Sequence, residues 1–400
     1  MSNYDTISAM ISIHRLRQLH GKRVLLRIDA NVPVSRGRVL SKGTIRLDEV
    51  VPTIIFLTKL GARLIVVAHR GRPEGKVDKD LSLKAAARYL EREVGRNVKF
   101  VDGFDDEVSE KCTKLQDGEI AMLENVRFHP GEDSNDPEFS KWLASLADIY
   151  VNDAFGVSHR SSASMVGVAG LLPSYAGLLM IEEVKEMEKL VKKPKHPFVI
   201  IMGGVKARTK VPVILNLLDK CDAILLGGVL ANKFYSVAQD EPSDEIDSKL
   251  RKQMKGLLKH DHIRLPHDVV VYHKKRKRVE VVDLRVSRED PSTYTIMDIG
   301  PKTSAHYCDM VTFAKTVVWN GPLGMFEDKR YAKGTNEIAR CFAGSSAKTI
   351  AGGGETLQVV KSLNIDQQIS FLSTGGGAML SYLAGKELPA LTALKKNKKK

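Results

Sequence analysis

Short, unbroken apolar runs recur along this chain, each stopping at a cluster of polar residues or glycines, and that rhythm restricts the fold more than any other feature. Runs at 24–28, 64–68, 120–123 and 149–151 in the first half, and at 198–202, 223–226, 317–319, 349–351 and 369–372 in the second, are continuous rather than alternating. Strands of this kind are covered on both faces, as in a parallel sheet flanked by helices. Helical patterns at 82–94 and 211–218 fall between them. Repeated strand and helix units predict right-handed crossovers and a doubly wound sheet in each half. The fold class expected is therefore α/β, with two Rossmann-like three-layer α/β/α domains built on parallel sheets. A length of 400 residues is sufficient for two such cores.

The clusters that end the runs change character halfway. Up to about residue 170 they are rich in Arg, His, Asp and Asn; after about 195 they are rich in Gly and Lys. In open parallel sheets ligands lie just beyond the carboxyl ends of the strands, so two styles of strand end imply two differently built sites. One suits a small polyanion and the other a nucleotide. Between the halves, 178–193 reads as a helix that joins them. Pro173 precedes it, Pro194 and Pro197 follow it, and Leu179, Val184, Met187, Leu190 and Val191 mark an apolar stripe.

The first-half clusters are Arg27-Ile28-Asp29-Ala30-Asn31 with Arg46 beyond, His69-Arg70-Gly71-Arg72-Pro73, Glu124-Asn125-Val126-Arg127-Phe128, and Asn152-Asp153 leading into His159-Arg160. Arginine offers a planar fork that matches carboxylate or phosphate oxygens, and histidine adds a donor whose charge is tunable near neutral pH. Any one of these arginines could be an ordinary ion-pair residue; their joint occurrence at strand ends points to an anion site.

The second half carries three glycine-rich turns: Gly203-Gly204-Val205-Lys206-Ala207-Arg208-Thr209-Lys210, Gly352-Gly353-Gly354-Glu355-Thr356, and Ser373-Thr374-Gly375-Gly376-Gly377. Glycine lets backbone amides approach phosphate oxygens, and a following helix adds its dipole. Pro212 fits the first turn of the next helix, which puts Lys206 and Lys210 on the loop entering it. Neither the GxxxxGK[ST] phosphate loop nor the GxGxxG dinucleotide fingerprint occurs.

The formal charge of +14 invites a nucleic-acid reading, but two runs supply most of it. Lys274-Lys275-Arg276-Lys277-Arg278 and the tail lysines Lys395, Lys396, Lys398, Lys399 and Lys400 carry ten of these charges and leave +4 elsewhere. The first run lies between 269–272 and 279–282, which read as two strands joined by a solvated turn; no aromatic residues are interleaved for base stacking. The tail reads as a disordered polycation. Cys112, Cys221, Cys308 and Cys341 show no paired spacing, so buried free thiols are expected rather than a disulfide framework or a zinc site. No stretch approaches the ~20 apolar residues of a membrane span, and the start lacks a secretion signal, so a cytoplasmic protein is expected.

Read in order, the strings RIDANVP, HRGRP, ENVRF, NDAFGVSHR, GGVKARTK, WNGPLGMFE, GGGET and STGGGA resemble the phosphoglycerate kinase family over nearly the full chain. The resemblance implies reversible phosphoryl transfer from 1,3-bisphosphoglycerate to MgADP, giving 3-phosphoglycerate and MgATP. It implies two domains around a cleft: a 3-phosphoglycerate domain over 1–177, a hinge helix over 178–193, a nucleotide domain over 194–378, and a segment over 379–400 returning toward the first domain. Carried over by motif, Asp29 and Asn31 orient the hydroxy-acid end of the triose, His69, Arg72, Arg127 and Arg160 hold its distal phosphate, and Arg46 reaches the carboxyl end. Lys206 and Lys210 approach the nucleotide and the transferring phosphate, with Gly203, Asn320, Pro322, Gly352, Gly353, Gly354 and Thr356 as further nucleotide contacts and Glu327 at the ribose. Glu355 matches the carboxylate associated with Mg²⁺, and Gly375, Gly376 and Gly377 the turn that cradles the transferring group. A monomer without nucleic-acid or membrane partners is expected.

Four positions depart from the family pattern. Glu355 stands where Asp is common, Ser162 where a His often follows, and Arg208-Thr209 where Ser-Asp is common. Another acyl-phosphate or small-molecule kinase could share the nucleotide half; it would be distinguished by failure to use 3-phosphoglycerate. A nucleic-acid binder would use the lysine-rich runs.

Overall fold

The computed structural model describes residues 10–287 and 290–396. The chain divides into two compact units, one comprising Met1–Glu188 with Lys386–Lys400 and the other Lys189–Gly385.

In the first unit six strands, Arg23–Arg27, Arg63–Val67, Val98–Val101, Ile120–Leu123, Ile149–Asn152 and Ser174–Ala176, form one parallel sheet. Across the sheet they run in the order third, fourth, second, first, fifth, sixth. Val24, Leu26 and Ile28 pack with Leu64 and Val66 against Leu47, Ile54, Leu57 and Leu90, while Leu25 is buried on the opposite face. Both faces are thus covered, which accounts for the continuous apolar runs. Local signals fix the helix ends. Asp136 caps Pro137–Ser145 by accepting from the Phe139 amide, with Pro137 as the first helical residue, and Gly95 closes Lys84–Val94 at φ 66°.

The helix Leu178–Lys192 follows. All five stripe residues, Leu179, Val184, Met187, Leu190 and Val191, are buried. Its first turn is tied down by Thr53 Oγ1, which accepts from the Leu178 amide at 3.1 Å, and by Asp153 Oδ1, which accepts from the Met180 amide at 2.9 Å. The last helix, Pro389–Lys396, belongs to the first unit, where the Ala390 amide donates to the Ser158 carbonyl at 3.2 Å. The expected disordered tail therefore loses Lys395 and Lys396 to a helix, while Lys398, Lys399 and Lys400 lie outside the described residues.

The second unit repeats the plan with Phe198–Met202, Ala223–Leu226, Ile263–Arg264, Thr316–Asn320, Lys348–Gly352 and Phe371–Ser373. Their order across the sheet is third, second, first, fourth, fifth, sixth, all parallel, the Rossmann arrangement. Val199, Ile201, Val317, Trp319 and Ala351 pack against Tyr307, Val311, Ile338, Phe342 and Val359. A separate antiparallel sheet joins Asp268–His273 to Arg278–Asp283 and to Tyr294–Ile299. The basic run is the turn of that first hairpin, as expected, and Arg276 and Arg278 both pair with Glu280, at 2.7 and 2.5 Å. The third strand was not legible in the sequence.

One expectation fails outright. Cys308 and Cys341 form a disulfide between the helices Pro301–Phe313 and Lys333–Gly344; two helices packed side by side bring together residues that sequence spacing left unrelated. Cys112 and Cys221 are free and buried, as expected. Among the described residues no helix is long and apolar enough to cross a membrane.

Candidate functional site

Strand register sets both clusters. In the first unit Arg27 lies opposite Val67 on one side and Asn152 on the other, and Val66 opposite Met122. The neighbouring strands therefore end nearly level, and the segments that follow them, from Asp29, His69, Asn125 and Asp153, emerge along one edge. This edge includes the position where the strand order reverses, the place at which open parallel sheets bind ligands.

Hydrogen bonds then knit the loops together. Asp29 Oδ1 accepts from the Asn31 amide at 3.0 Å, and its Oδ2 lies 3.6 Å from Arg46 Nε. Arg46 also donates to the Asn31 carbonyl at 2.7 Å, and Asn31 Oδ1 accepts from the Gly71 amide at 3.1 Å. Asn125 Oδ1 accepts from the Arg70 and Arg127 amides, each at 3.2 Å. Arg127 reaches the Gly71 carbonyl at 2.8 Å and Asp133 at 3.0 Å. Asp29, Asn31, Arg46 and Arg127 thus join one network, His69 bonds separately to Arg27 at 2.9 Å, and Arg160 lies within electrostatic range of Arg127, Arg72 and Asp29. Arg72 is exposed.

The cluster is strongly cationic. Burial pushes the Arg160 pKa down, and Arg127 and Arg72 add to it. Arg160 Nε and His159 Nδ1 are buried and have no hydrogen-bond partner among the described residues. Buried donors without acceptors are costly, so this is a polar cradle suited to an anion. His69, expected to supply a tunable charge, is instead held well below its ordinary pKa, by burial first and then by Arg27, Arg127, Arg160 and Arg46.

In the second unit Met202 lies opposite Asn320, Asn320 opposite Gly352, and Gly352 opposite Ser373. Four adjacent strands end level, and the three glycine-rich turns and the Asn320-Gly321-Pro322 turn follow directly. The Gly203 amide donates to the Asn320 carbonyl at 3.1 Å and the Gly204 amide to that of Pro322 at 2.8 Å. The approach is so close that a Cβ on Gly203 would collide with the Pro322 carbonyl. Asn320 Nδ2 holds the Gly352 carbonyl at 2.8 Å, and Thr356 Oγ1 accepts from the Gly321 amide at 2.7 Å. Gly354 and Glu355 begin the helix Gly354–Ser362, and Gly375 caps Gly376–Leu383, so two helix starts adjoin this edge.

The lysine pair corrects the loop expectation. The helix begins at Ala207, with Lys206 in the capping position and Pro212 inside it. Lys210 therefore sits in the first helical turn, 6% exposed, and donates to the carbonyls of Gly203 and, at 3.1 Å, Asn320. Pro212 lies inside the helix rather than in its first turn, at the cost of one backbone hydrogen bond. Burial pulls the Lys210 pKa down to about 8, with Glu355 acting in the opposite direction. Lys206 is exposed.

A cavity of about 320 Å³ adjoins these turns, lined by Gly204, Val229, Ile296, Pro322, Glu327 and Glu355 among others. Its mixture of apolar wall and a few polar groups suits a nucleoside. Among the described residues no group of three or more His, Cys, Asp or Glu could hold a metal. Glu355 alone fits a metal that arrives already coordinated by phosphates, since Mg²⁺ takes few protein ligands in such sites.

Sequence reasoning missed the antiparallel sheet's share of this cavity. Asp298 lines it, is pushed up to about 7 by burial, and accepts from the Gly334 amide at 2.6 Å. No motif marks it. In the first unit it missed Glu132, and it listed Arg27 only as part of the first strand-end cluster, without a role.

Comparison with known proteins agrees with this architecture. The family model described as phosphoglycerate kinase matches residues 13–386. The chain is similar to the phosphoglycerate kinase of Pelotomaculum thermopropionicum, 42% identical over 381 residues covering 94% of this chain and 96% of the relative, and to that of Thermosipho africanus, 39% identical over 391 residues, 95% and 97%. Among solved structures, phosphoglycerate kinase from Pyrococcus horikoshii matches with a TM-score of 0.84 at 32% identity, covering 98% of this chain and 100% of that one. The Coxiella burnetii structure gives 0.80 at 35% identity, covering 97% and 99%.

Proposed function

The chain belongs to the phosphoglycerate kinase family, and we propose that its two strand-end clusters divide that family's reaction between them. It catalyses the phosphoglycerate kinase reaction of glycolysis, in which the 1-phosphate of 1,3-bisphosphoglycerate passes to ADP and yields 3-phosphoglycerate and ATP. In the proposed division, His69, Arg72, Arg127 and Arg160 hold the distal phosphate of the triose. Asp29 and Asn31 orient its hydroxy-acid end, and Arg46 reaches the carboxyl end where transfer occurs. The second unit takes the nucleotide, with its base in the cavity, Glu327 at the ribose, and Lys206, Lys210 and the turns at Gly203, Asn320–Pro322, Gly352–Thr356 and Gly375–Gly376 along the phosphates.

The acceptor in the reverse direction is a carboxylate, already ionised near pH 7, so no general base has to remove a proton. Transfer is direct and in line, without a covalent enzyme intermediate, and positioning with electrostatic stabilisation supplies the catalysis. Charge spreads over the equatorial oxygens of the transferring group, and Arg46, Lys210 and the glycine amides are fixed donors for it. Mg²⁺ arriving with the nucleotide would neutralise further phosphate charge, with Glu355 as the carboxylate associated with it. Residues 178–193 act as the hinge in this reading, and the chain works as a cytoplasmic monomer.

The observation that carries the proposal is the level register of the four strand ends in the second unit, from which Lys210 binds the Gly203 and Asn320 carbonyls beside the glycine turns. Incubation with ATP, Mg²⁺ and 3-phosphoglycerate in the presence of hydroxylamine should trap the acyl phosphate as a hydroxamate. No hydroxamate, where a known enzyme of this type produces it, would overturn the reading.

A further inference from the structure

We propose that Arg27 is a positioning residue that locks the His69 ring in its neutral, Nε2-protonated tautomer, so that His69 meets the distal phosphate as a hydrogen-bond donor rather than as a cation. The proposal rests on the reading of His69 as a phosphate contact given above.

Arg27 closes the first strand and is 2% exposed. Each arm of its guanidinium is spoken for: Nε donates to Ser164 Oγ at 2.8 Å, Nη1 to the Ile28 carbonyl, and Nη2 to His69 Nδ1 at 2.9 Å. A guanidinium has donors and no acceptor. Nδ1 must therefore offer a lone pair, and the ring's one proton resides on Nε2. An imidazolium has no lone pair to offer and cannot make this bond.

The lock has its own support. Glu132, 1% exposed, accepts from Ser162 Oγ at 2.7 Å, Ser164 Oγ at 2.6 Å and the Ser164 amide at 2.9 Å. Ser164 thus donates to Glu132 and accepts from Arg27, which gives the buried guanidinium a counter-charge one hydroxyl away. Ser162, where a histidine is common in this family, here helps to hold Glu132.

The surroundings agree. The charged groups acting on the ring are Arg27 from the first strand, Arg46 from the helix Ile45–Asp48, Arg127 from the turn after Ile120–Leu123, and Arg160 from the segment after Phe155–Val157. All four are cations, and burial and each of them lower the ring's pKa. Another positive charge is disfavoured there, whereas a neutral donor adds a directed contact without repulsion.

The test is ¹⁵N NMR of the full chain labelled at histidine, with His69 assigned from the signal lost in His69→Gln. The expected result from about pH 8 to about pH 5, around the ordinary histidine pKa, is a pyridine-like Nδ1 and a pyrrole-like Nε2 with no titration. An Nδ1–H tautomer, or conversion to imidazolium near 6.5, would overturn the lock. Arg27→Lys keeps the charge but not the three-way fork. It should release the ring to populate the Nδ1–H tautomer, and raise KM for 3-phosphoglycerate roughly tenfold or more with KM for ATP unchanged; equal changes in both would overturn a positioning role. The wild-type spectrum decides the lock even if that variant does not fold. A locked tautomer combined with normal 3-phosphoglycerate binding by His69→Gln would instead overturn His69 as a phosphate contact, and with it the purpose assigned to the lock.

Discussion

Lys210→Met should separate activity from stability. The lysine is buried, and its pKa falls from 10.5 to about 8. That drop corresponds to about 3 kcal/mol by which the site disfavours the ammonium at neutral pH. Methionine removes this cost and fills similar space. Against it stand two carbonyls, those of Gly203 and Asn320, that lose a donor at about 1 kcal/mol each. The variant should therefore lie within about 2 kcal/mol of wild type, on the stable side. Loss of a fixed donor to the transferring group should nevertheless lower kcat by roughly 10² to 10³. The pH dependence gives a second check. Since the folded pKa lies below the unfolded one, the unfolded chain holds the extra proton between about pH 8 and 10.5. Wild-type stability should gain across that window, and Lys210→Met should lack the gain. Denaturant unfolding of the nucleotide-free protein and a coupled turnover assay measure both. A loss above ~4 kcal/mol, near-normal turnover, or the same pH slope in both proteins would refute the reasoning, since each contradicts a buried charge kept for chemistry.

Other substitutions probe the remaining donors. Arg46→Ala should lower kcat by roughly 10² or more while nucleotide affinity stays near normal; wild-type turnover would remove Arg46 from the mechanism. Glu355→Ala should shift the Mg²⁺ dependence of turnover to higher concentration, and an unchanged dependence would dismiss Glu355 as the metal's carboxylate. The Cys308–Cys341 bridge closes a loop with a sequence separation of 33, so Cys308→Ser with Cys341→Ser should cost about 4 kcal/mol of stability. Thiol titration of the unfolded, unreduced protein should find only Cys112 and Cys221.

The parallel sheets were legible because strands such as Phe198–Met202 and Ile120–Leu123 are buried on both faces, which leaves the same unbroken apolar signature whatever the partner strand. The connecting helix was legible through its stripe. The clusters at the strand ends were legible as candidates because topology dictates where ligands go, whereas the individual roles came from the motifs' resemblance to the family. Three kinds of feature stayed hidden. The start of the helix at Ala207 depends on Lys210 turning inward, a tertiary matter that outweighs the proline rule. The Cys308–Cys341 pair depends on which helices become neighbours. The locked state of His69 depends on Arg27 arriving from another strand, so a residue read as a tunable charge is fixed by its partner.

The placement of Pro389–Lys396 has a consequence in time. Lys386 onward belongs with residues up to Glu188, while Lys189–Gly385 is one uninterrupted stretch. Ala390 and Leu394 are buried in the first unit, and Ala390 bonds to Ser158, only two residues from Arg160. As the chain leaves the ribosome, the second unit can complete its own contacts once its last helix, Gly376–Leu383, has emerged. The first must wait, with the surface beneath its final helix uncovered, for nearly the whole of translation. The half of the molecule made first is therefore the half finished last, and a chain stopped between Gly385 and Pro389 retains the second unit complete while Ala154, Val157 and Met165 in the first lack the packing of Ala390.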